Sequence, residues 1–127
     1  MKIAVLGAGM VGRTMAIDLS ATHDVTSFDK YPGPLQVLQE KNNAIKTVTA
    51  DLADYKQYAS WLAPFDLVVT AVPGFMGYRT LEAVIMAGKD VVDISFFPED
   101  ALQLDALAKQ KNVTVITDCG VAPGMSN

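Results

Sequence analysis

The sequence predicts an α/β fold, a doubly wound six-stranded parallel sheet with helices on both faces. Six short β-rich runs recur at intervals of roughly 20 residues, the spacing of strands joined by helical crossovers. They are Lys2 to Leu6, Asp24 to Phe28, Ile45 to Ala50, Leu67 to Val72, Val91 to Ser95 and Val113 to Thr117. Several are nearly continuous in Val, Ile and Leu, as strands buried on both faces must be. Right-handed crossovers and short connections leave few arrangements of six such strands, and the order 3-2-1-4-5-6 is the expected one.

The intervening segments carry helical signals. In the first, Val11, Met15 and Leu19 repeat at i, i+4, i+8 and predict an apolar stripe against the sheet. The second, from Pro32-Gly33-Pro34 to Asn42-Asn43, offers only Leu35 and Leu38 and predicts no more than a short helix. In the third, Asp54 and Gln57 have the spacing of a capping box, with Tyr55, Tyr58, Ala59 and Leu62 as the buried face and Trp61 packing beside it. Leu81, Val84 and Ile85 form the fourth stripe, stopped by Gly88, which tolerates the left-handed conformation. The fifth helix is expected to have Pro98 at its first position, Glu99 and Asp100 at its positive end, and Lys109 and Lys111 at its negative end.

At 127 residues the chain suits one domain, read here as a single unit over 1–127, and 50% hydrophobic with 19% charged residues is the composition of a chain that folds. A net charge of -4 without a Lys/Arg cluster argues against nucleic acid as a partner. No apolar run approaches the roughly 20 residues that span a bilayer, and the run Ile3 to Leu6 is too short for a secretion signal, so a cytoplasmic location without membrane contact is expected. One cysteine, Cys119, and one histidine, His23, do not make a transition-metal site. Cys119 reads as a small buried hydrophobe near a strand end, and His23 as part of a polar turn between a helix and a strand.

The most informative segment is Gly7-Ala8-Gly9-Met10-Val11-Gly12, a GxGxxG run directly after a five-residue strand and opening an amphipathic helix. Gly7 permits the tight turn, Gly9 leaves room for a pyrophosphate, and Gly12 lets helix and strand approach, while the helix N-terminus offers free N–H groups and a partial positive charge. That context makes it a Rossmann dinucleotide site. Asp29 ends the second strand 20 residues past Gly9, where a carboxylate accepts hydrogen bonds from the adenosine ribose hydroxyls. A 2'-phosphate beside it would be repelled, so NAD is expected over NADP, with neighbouring Lys30 offsetting part of that repulsion. Because ligands bind beyond the carboxyl ends of the strands, Asp51 and Leu52 are expected on the adenine side, and Val72, Pro73 and Gly74, with Asp93 and Ser95, toward the nicotinamide. Asp51 has an equal claim as a loop or capping residue. Asp93 is a candidate to orient or deprotonate an amine, against a commoner role as a structural strand-end acid, and Tyr78 is a weaker catalytic candidate.

Three further segments carry a family resemblance: Val72-Pro73-Gly74-Phe75, Val92-Asp93-Ile94-Ser95-Phe96, and above all Asp118-Cys119-Gly120-Val121-Ala122-Pro123-Gly124-Met125-Ser126-Asn127. With the glycine motif, they resemble the saccharopine dehydrogenase family, most closely its L-lysine 6-dehydrogenase branch, over essentially the whole chain. The resemblance implies a NAD-dependent oxidation of a carbon–nitrogen bond of an amino acid, with lysine as the leading substrate and saccharopine, oxidised at a secondary amine, as the close alternative. It also implies that Pro123 helps close the nicotinamide side, and that a C-terminal catalytic domain, absent from this chain, supplies much of the substrate pocket and the contacts of a homodimer. This stretch alone is then expected to be inactive. The alternatives are a non-catalytic NAD-sensing module and an NADP-dependent saccharopine-type reductase, the latter opposed by Asp29 and by the lack of a basic pair after the second strand.

Overall fold

The computed structural model of the chain describes residues 1–94 and 102–117. Six strands, β1 (Lys2–Leu6), β2 (Asp24–Asp29), β3 (Lys46–Thr49), β4 (Leu67–Thr70), β5 (Asp90–Asp93) and β6 (Val115–Thr117), form one sheet in the order β3-β2-β1-β4-β5-β6. Every neighbouring pair is parallel. Among the described residues five α-helices connect them: α1 (Met10–Ser20), α2 (Pro32–Lys41), α3 (Tyr58–Leu62), α4 (Gly74–Met86) and α5 (Leu102–Lys111). This is the doubly wound Rossmann arrangement read from the sequence.

Alternation along the strands builds two cores. Ile3, Val5, Val25 and Val69 face α1 and α2, meeting Ala16, Leu38 and Ile45. Ala4, Leu6, Phe28 and Val68 face the other way and meet Tyr58, Leu62, Leu81, Val84, Ile85 and Leu104 from α3, α4 and α5. The second core holds Phe28 and Tyr58, with Tyr55, Trp61, Phe65 and Tyr78 packed against it. Trp61 packs there beside Phe28 and Tyr58, with ring centres 6.3 and 5.7 Å away, as expected.

Several local expectations are corrected. The buried positions of α1 are Gly12 and Ala16, with Met15 and Leu19 half-buried, whereas Val11 is 58% exposed. The contact face is rotated because small residues let α1 lie close to β1, which leaves Val11 on the rim. The second crossover is a full ten-residue helix, since Pro32 pre-sets its first turn and Leu35 and Leu38 are both buried. The capping box does not form. Asp54 makes no side-chain cap and is followed by a 3-10 turn, Tyr55–Gln57, before α3. Ala59 is exposed, so Tyr58 and Leu62 alone form the buried face of α3. Lys109 and Lys111 do lie in the last turn of α5, while Pro98, Glu99 and Asp100 lie outside the described residues, as does Cys119.

Candidate dinucleotide site

The chain order reverses between β1 and β4, so the loops leaving these two strands diverge and open a crevice at their carboxyl ends. A cleft of about 700 Å³ lies there. Gly7, at the exit of β1, has φ +106°, and its N–H donates to the Phe28 carbonyl at 2.8 Å. A Cβ at Gly7 would overlap the Ala71 carbonyl, and one at Gly12 would overlap the carbonyl of Gly7. These two glycines therefore exist for close packing of loop, helix and sheet. Gly9 differs, for a Cβ there would have nothing within 4 Å. It is the N-cap of α1, and no side chain caps that helix end. The first-turn amides of an 11-residue helix thus face a space kept bare by a glycine, a place suited to a phosphate anion.

Asp29, half-buried at the end of β2, joins the glycine loop to the next turn. Its Oδ2 accepts the Ala8 N–H at 2.7 Å and its Oδ1 accepts the Tyr31 N–H at 2.9 Å. Lys30 beside it is exposed, with its ammonium 5.9 Å from the centre of the Tyr31 ring. After β3, Asp51 Oδ1 accepts the Ala53 N–H at 3.0 Å. Leu52 is buried, and its carbonyl accepts the Tyr58 hydroxyl at 2.6 Å, which anchors this wall of the cleft to α3. Burial pushes the Tyr58 phenol well above its ordinary range, against a smaller opposing effect of the Thr80 hydroxyl. Tyr58 is legible in the sequence only as a core residue; the cue to its second role is that a buried tyrosine hydroxyl needs a partner.

Of the residues singled out from sequence, Gly7, Gly9, Met10, Val11, Gly12, Asp29, Lys30, Asp51, Leu52, Val72 and Pro73 line the cleft together. Tyr31, Pro34, Ala53, Ala71 and Met76 line it as well and carry no sequence signal of their own. Ala8 is fully buried and contributes through its N–H, while Gly74 begins α4. Asp93, the last residue of β5, is 1% exposed and accepts the hydroxyl of Thr70, the last residue of β4, at 2.6 Å, and it is not among the residues that line the cleft. Tyr78 lies on α4, half-buried against the aromatic core. Ser95 and Pro123 lie outside the described residues. Among the described residues no cluster of His, Cys, Asp and Glu is suited to a metal ion, and no helix is long and apolar enough to cross a membrane.

Residues 3–116 match the family described as the saccharopine dehydrogenase NADP binding domain. The chain is 23% identical over 128 aligned residues to an NADP(+), L-glutamate-forming saccharopine dehydrogenase of Saccharomyces cerevisiae, covering 99% of this chain and 28% of the yeast protein. The corresponding protein of Pyricularia oryzae is 26% identical over 80 residues, or 63% of this chain and 18% of the relative. The chain thus spans about a quarter of the length of the yeast relative. The apo structure of the L-glutamate-forming saccharopine dehydrogenase of Saccharomyces cerevisiae superposes with a TM-score of 0.78 at 22% identity, covering 92% of this chain and 26% of that one.

These matches overturn the expectation of NAD. The matched family is NADP-binding and the two relatives described above are NADP(+) enzymes, so NADP is favoured over NAD. The expectation sets Asp29 against the ribose hydroxyls and leaves its contacts within the protein out of account. In the fold each oxygen already accepts a backbone N–H. The charge of Asp29 is thus directed in part into the glycine loop and the Tyr31 turn, which weakens the repulsion argument against the NADP-dependent saccharopine-type alternative.

Proposed function

The chain belongs to the saccharopine dehydrogenase NADP-binding domain family, and on that premise we propose that it binds NADP for an oxidoreductase acting on a carbon–nitrogen bond of an amino acid. The observation that carries this reading is the bare Gly9 beside the uncapped start of α1, at the point where the strand order reverses. In this reading the glycine-loop amides hold the pyrophosphate, Asp51 and Leu52 flank the adenosine, and Pro73 and Met76 flank the nicotinamide end. Bound NADP(+) supplies the hydride acceptor for the carbon that bears the nitrogen.

Transfer also requires that carbon to be held against the ring in a water-poor space, and one sheet with its loops supplies a single wall. The opposing wall then comes from a further domain, with a homodimer as the expected assembly. Saccharopine is the leading substrate, because the secondary amine of saccharopine is the bond broken when L-glutamate is formed; lysine is the competing one. Calorimetric titration of the chain with NADP and NAD tests the cofactor. Tighter binding of NADP is expected, and binding of neither overturns the reading. Formation of NADPH by an enzyme containing this domain, with saccharopine and not with lysine, tests the substrate.

A further inference from the structure

The wall of the cleft that follows β3 is built on a four-residue turn. The Asp54 N–H donates to the Asp51 carbonyl at 2.9 Å, so Leu52 and Ala53 are the central residues, and both line the cleft together with Asp51. The peptide unit between Leu52 and Ala53 takes no part in that closing bond, and rotation of this unit is what distinguishes one turn type from another. Here side chains claim both of its polar groups. The Leu52 carbonyl accepts the Tyr58 hydroxyl at 2.6 Å, and the Ala53 N–H donates to Asp51 Oδ1 at 3.0 Å. The C=O and N–H of a planar trans peptide point opposite ways. A carbonyl held toward the buried Tyr58 therefore turns the N–H toward the exposed Asp51 carboxylate.

The surroundings fix both ends of this link. The Tyr58 side chain is 1% exposed and its ring is flanked by Tyr55 and Trp61, with ring centres 5.5 and 5.7 Å away, so its hydroxyl stands at a set point. Asp29 straps the Ala8 and Tyr31 amides together, and its own carbonyl accepts the Ala50 N–H at 2.9 Å, which fixes where the loop after β3 begins. What remains to be set is the Leu52–Ala53 peptide. Resting on the reading that Asp51 and Leu52 flank the adenosine, we propose that Tyr58 is a positioning residue for the cofactor. Through that one peptide unit its hydroxyl holds the Asp51 carboxylate in the orientation that meets the adenosine half of NADP. With Oδ1 committed to Ala53, Oδ2 is the oxygen offered to the N–H and O–H donors of the adenosine. A tyrosine that only filled the core would serve as well without its hydroxyl.

The test is calorimetric binding of NADP and of its adenosine half, 2',5'-ADP, to the chain, to Tyr58→Phe, Asp51→Ala and the double variant, and to Leu62→Val. Tyr58→Phe is expected to weaken both ligands by roughly 3- to 10-fold, the worth of one hydrogen bond. Asp51→Ala is expected to weaken them at least as much. Adding Tyr58→Phe to Asp51→Ala is expected to change affinity by less than about twofold, since the hydroxyl then has no carboxylate to position. Leu62→Val removes packing from the same helix and leaves the hydroxyl in place, so its affinity is expected to stay within about twofold of the unsubstituted chain. Unchanged affinity in Tyr58→Phe or in Asp51→Ala, additive losses in the double variant, or an equal loss in Leu62→Val overturns this inference and leaves the cofactor reading standing. Failure of the unsubstituted chain to bind NADP overturns both.

Discussion

The two sides of the cleft use their polar groups in opposite directions. On the β1–β2 side, Asp29 apart, they face the cleft: α1 begins without a side-chain cap, Gly9 leaves open space, and Lys30 is exposed at the rim. On the β4–β5 side they turn inward, where the fully buried Thr70 hydroxyl meets Asp93 at the strand ends. The same layer of strand termini thus holds a ligand-facing half and a half stitched to itself. A charged residue at a strand end is therefore no guide to chemistry until its partner is known. Asp29 and Asp93 both end their strands, Asp29 on the cleft wall with two backbone N–H partners and Asp93 buried against the Thr70 hydroxyl.

The sharpest way to break this contrast is to exchange glycines that look equivalent in the motif. Gly12→Val should destabilise the fold by about 3 kcal/mol or more, because the new Cβ overlaps the Gly7 carbonyl and neither backbone can withdraw. Gly9→Ala should cost less than about 1 kcal/mol, since nothing lies within 4 Å of its Cβ, yet should abolish dinucleotide binding. Urea unfolding beside calorimetry separates the two. Equal stability losses would mean that the ligand-facing half is also a packing half.

Next in size is Thr70→Val, which removes the hydroxyl donor to a buried carboxylate and is expected to cost about 2 kcal/mol while leaving NADP affinity within about twofold. A large loss of affinity at full stability would show that the inward half does reach the ligand. The smallest effect is at Tyr58, whose hydroxyl holds the Leu52 carbonyl. Tyr58→Phe should cost about 1 kcal/mol in urea unfolding. Because burial raises this phenol in the folded state, the unfolded chain releases the proton first, and stability falls as pH rises above about 10. The variant should lose stability less steeply over that alkaline range.

Strand order, the glycine loop and the stripe Leu81, Val84, Ile85 were legible because each rests on spacing alone. What was hidden depends on distance in space. The contact face of α1 went to Gly12 and Ala16 because closeness to the sheet outweighs side-chain size, an ordering that hydrophobic periodicity does not weigh. The helix α2 has only two buried leucines, too few to register as a pattern, yet they suffice once the neighbouring strands are in place. The position of Asp29 was readable, but its partners, Ala8 on another loop and Tyr31 two residues on, were not, and the wrong cofactor followed from that gap. The Asp118-to-Asn127 segment, the most specific part of the resemblance, lies beyond both the family match and the described residues.

The Asp29 strap has one more consequence, for motion. One carboxylate ties the amides of Ala8 and Tyr31, so the glycine loop and the turn after β2 move as a single body. Their amide protons should exchange with solvent at similar rates, slowed by the same opening event. A ligand arriving at such a body finds its phosphate and ribose contacts already registered to one another. The ordering entropy of the two loops is lost during folding and not again at each encounter, so the association rate should be set by diffusion and charge and not by loop rearrangement.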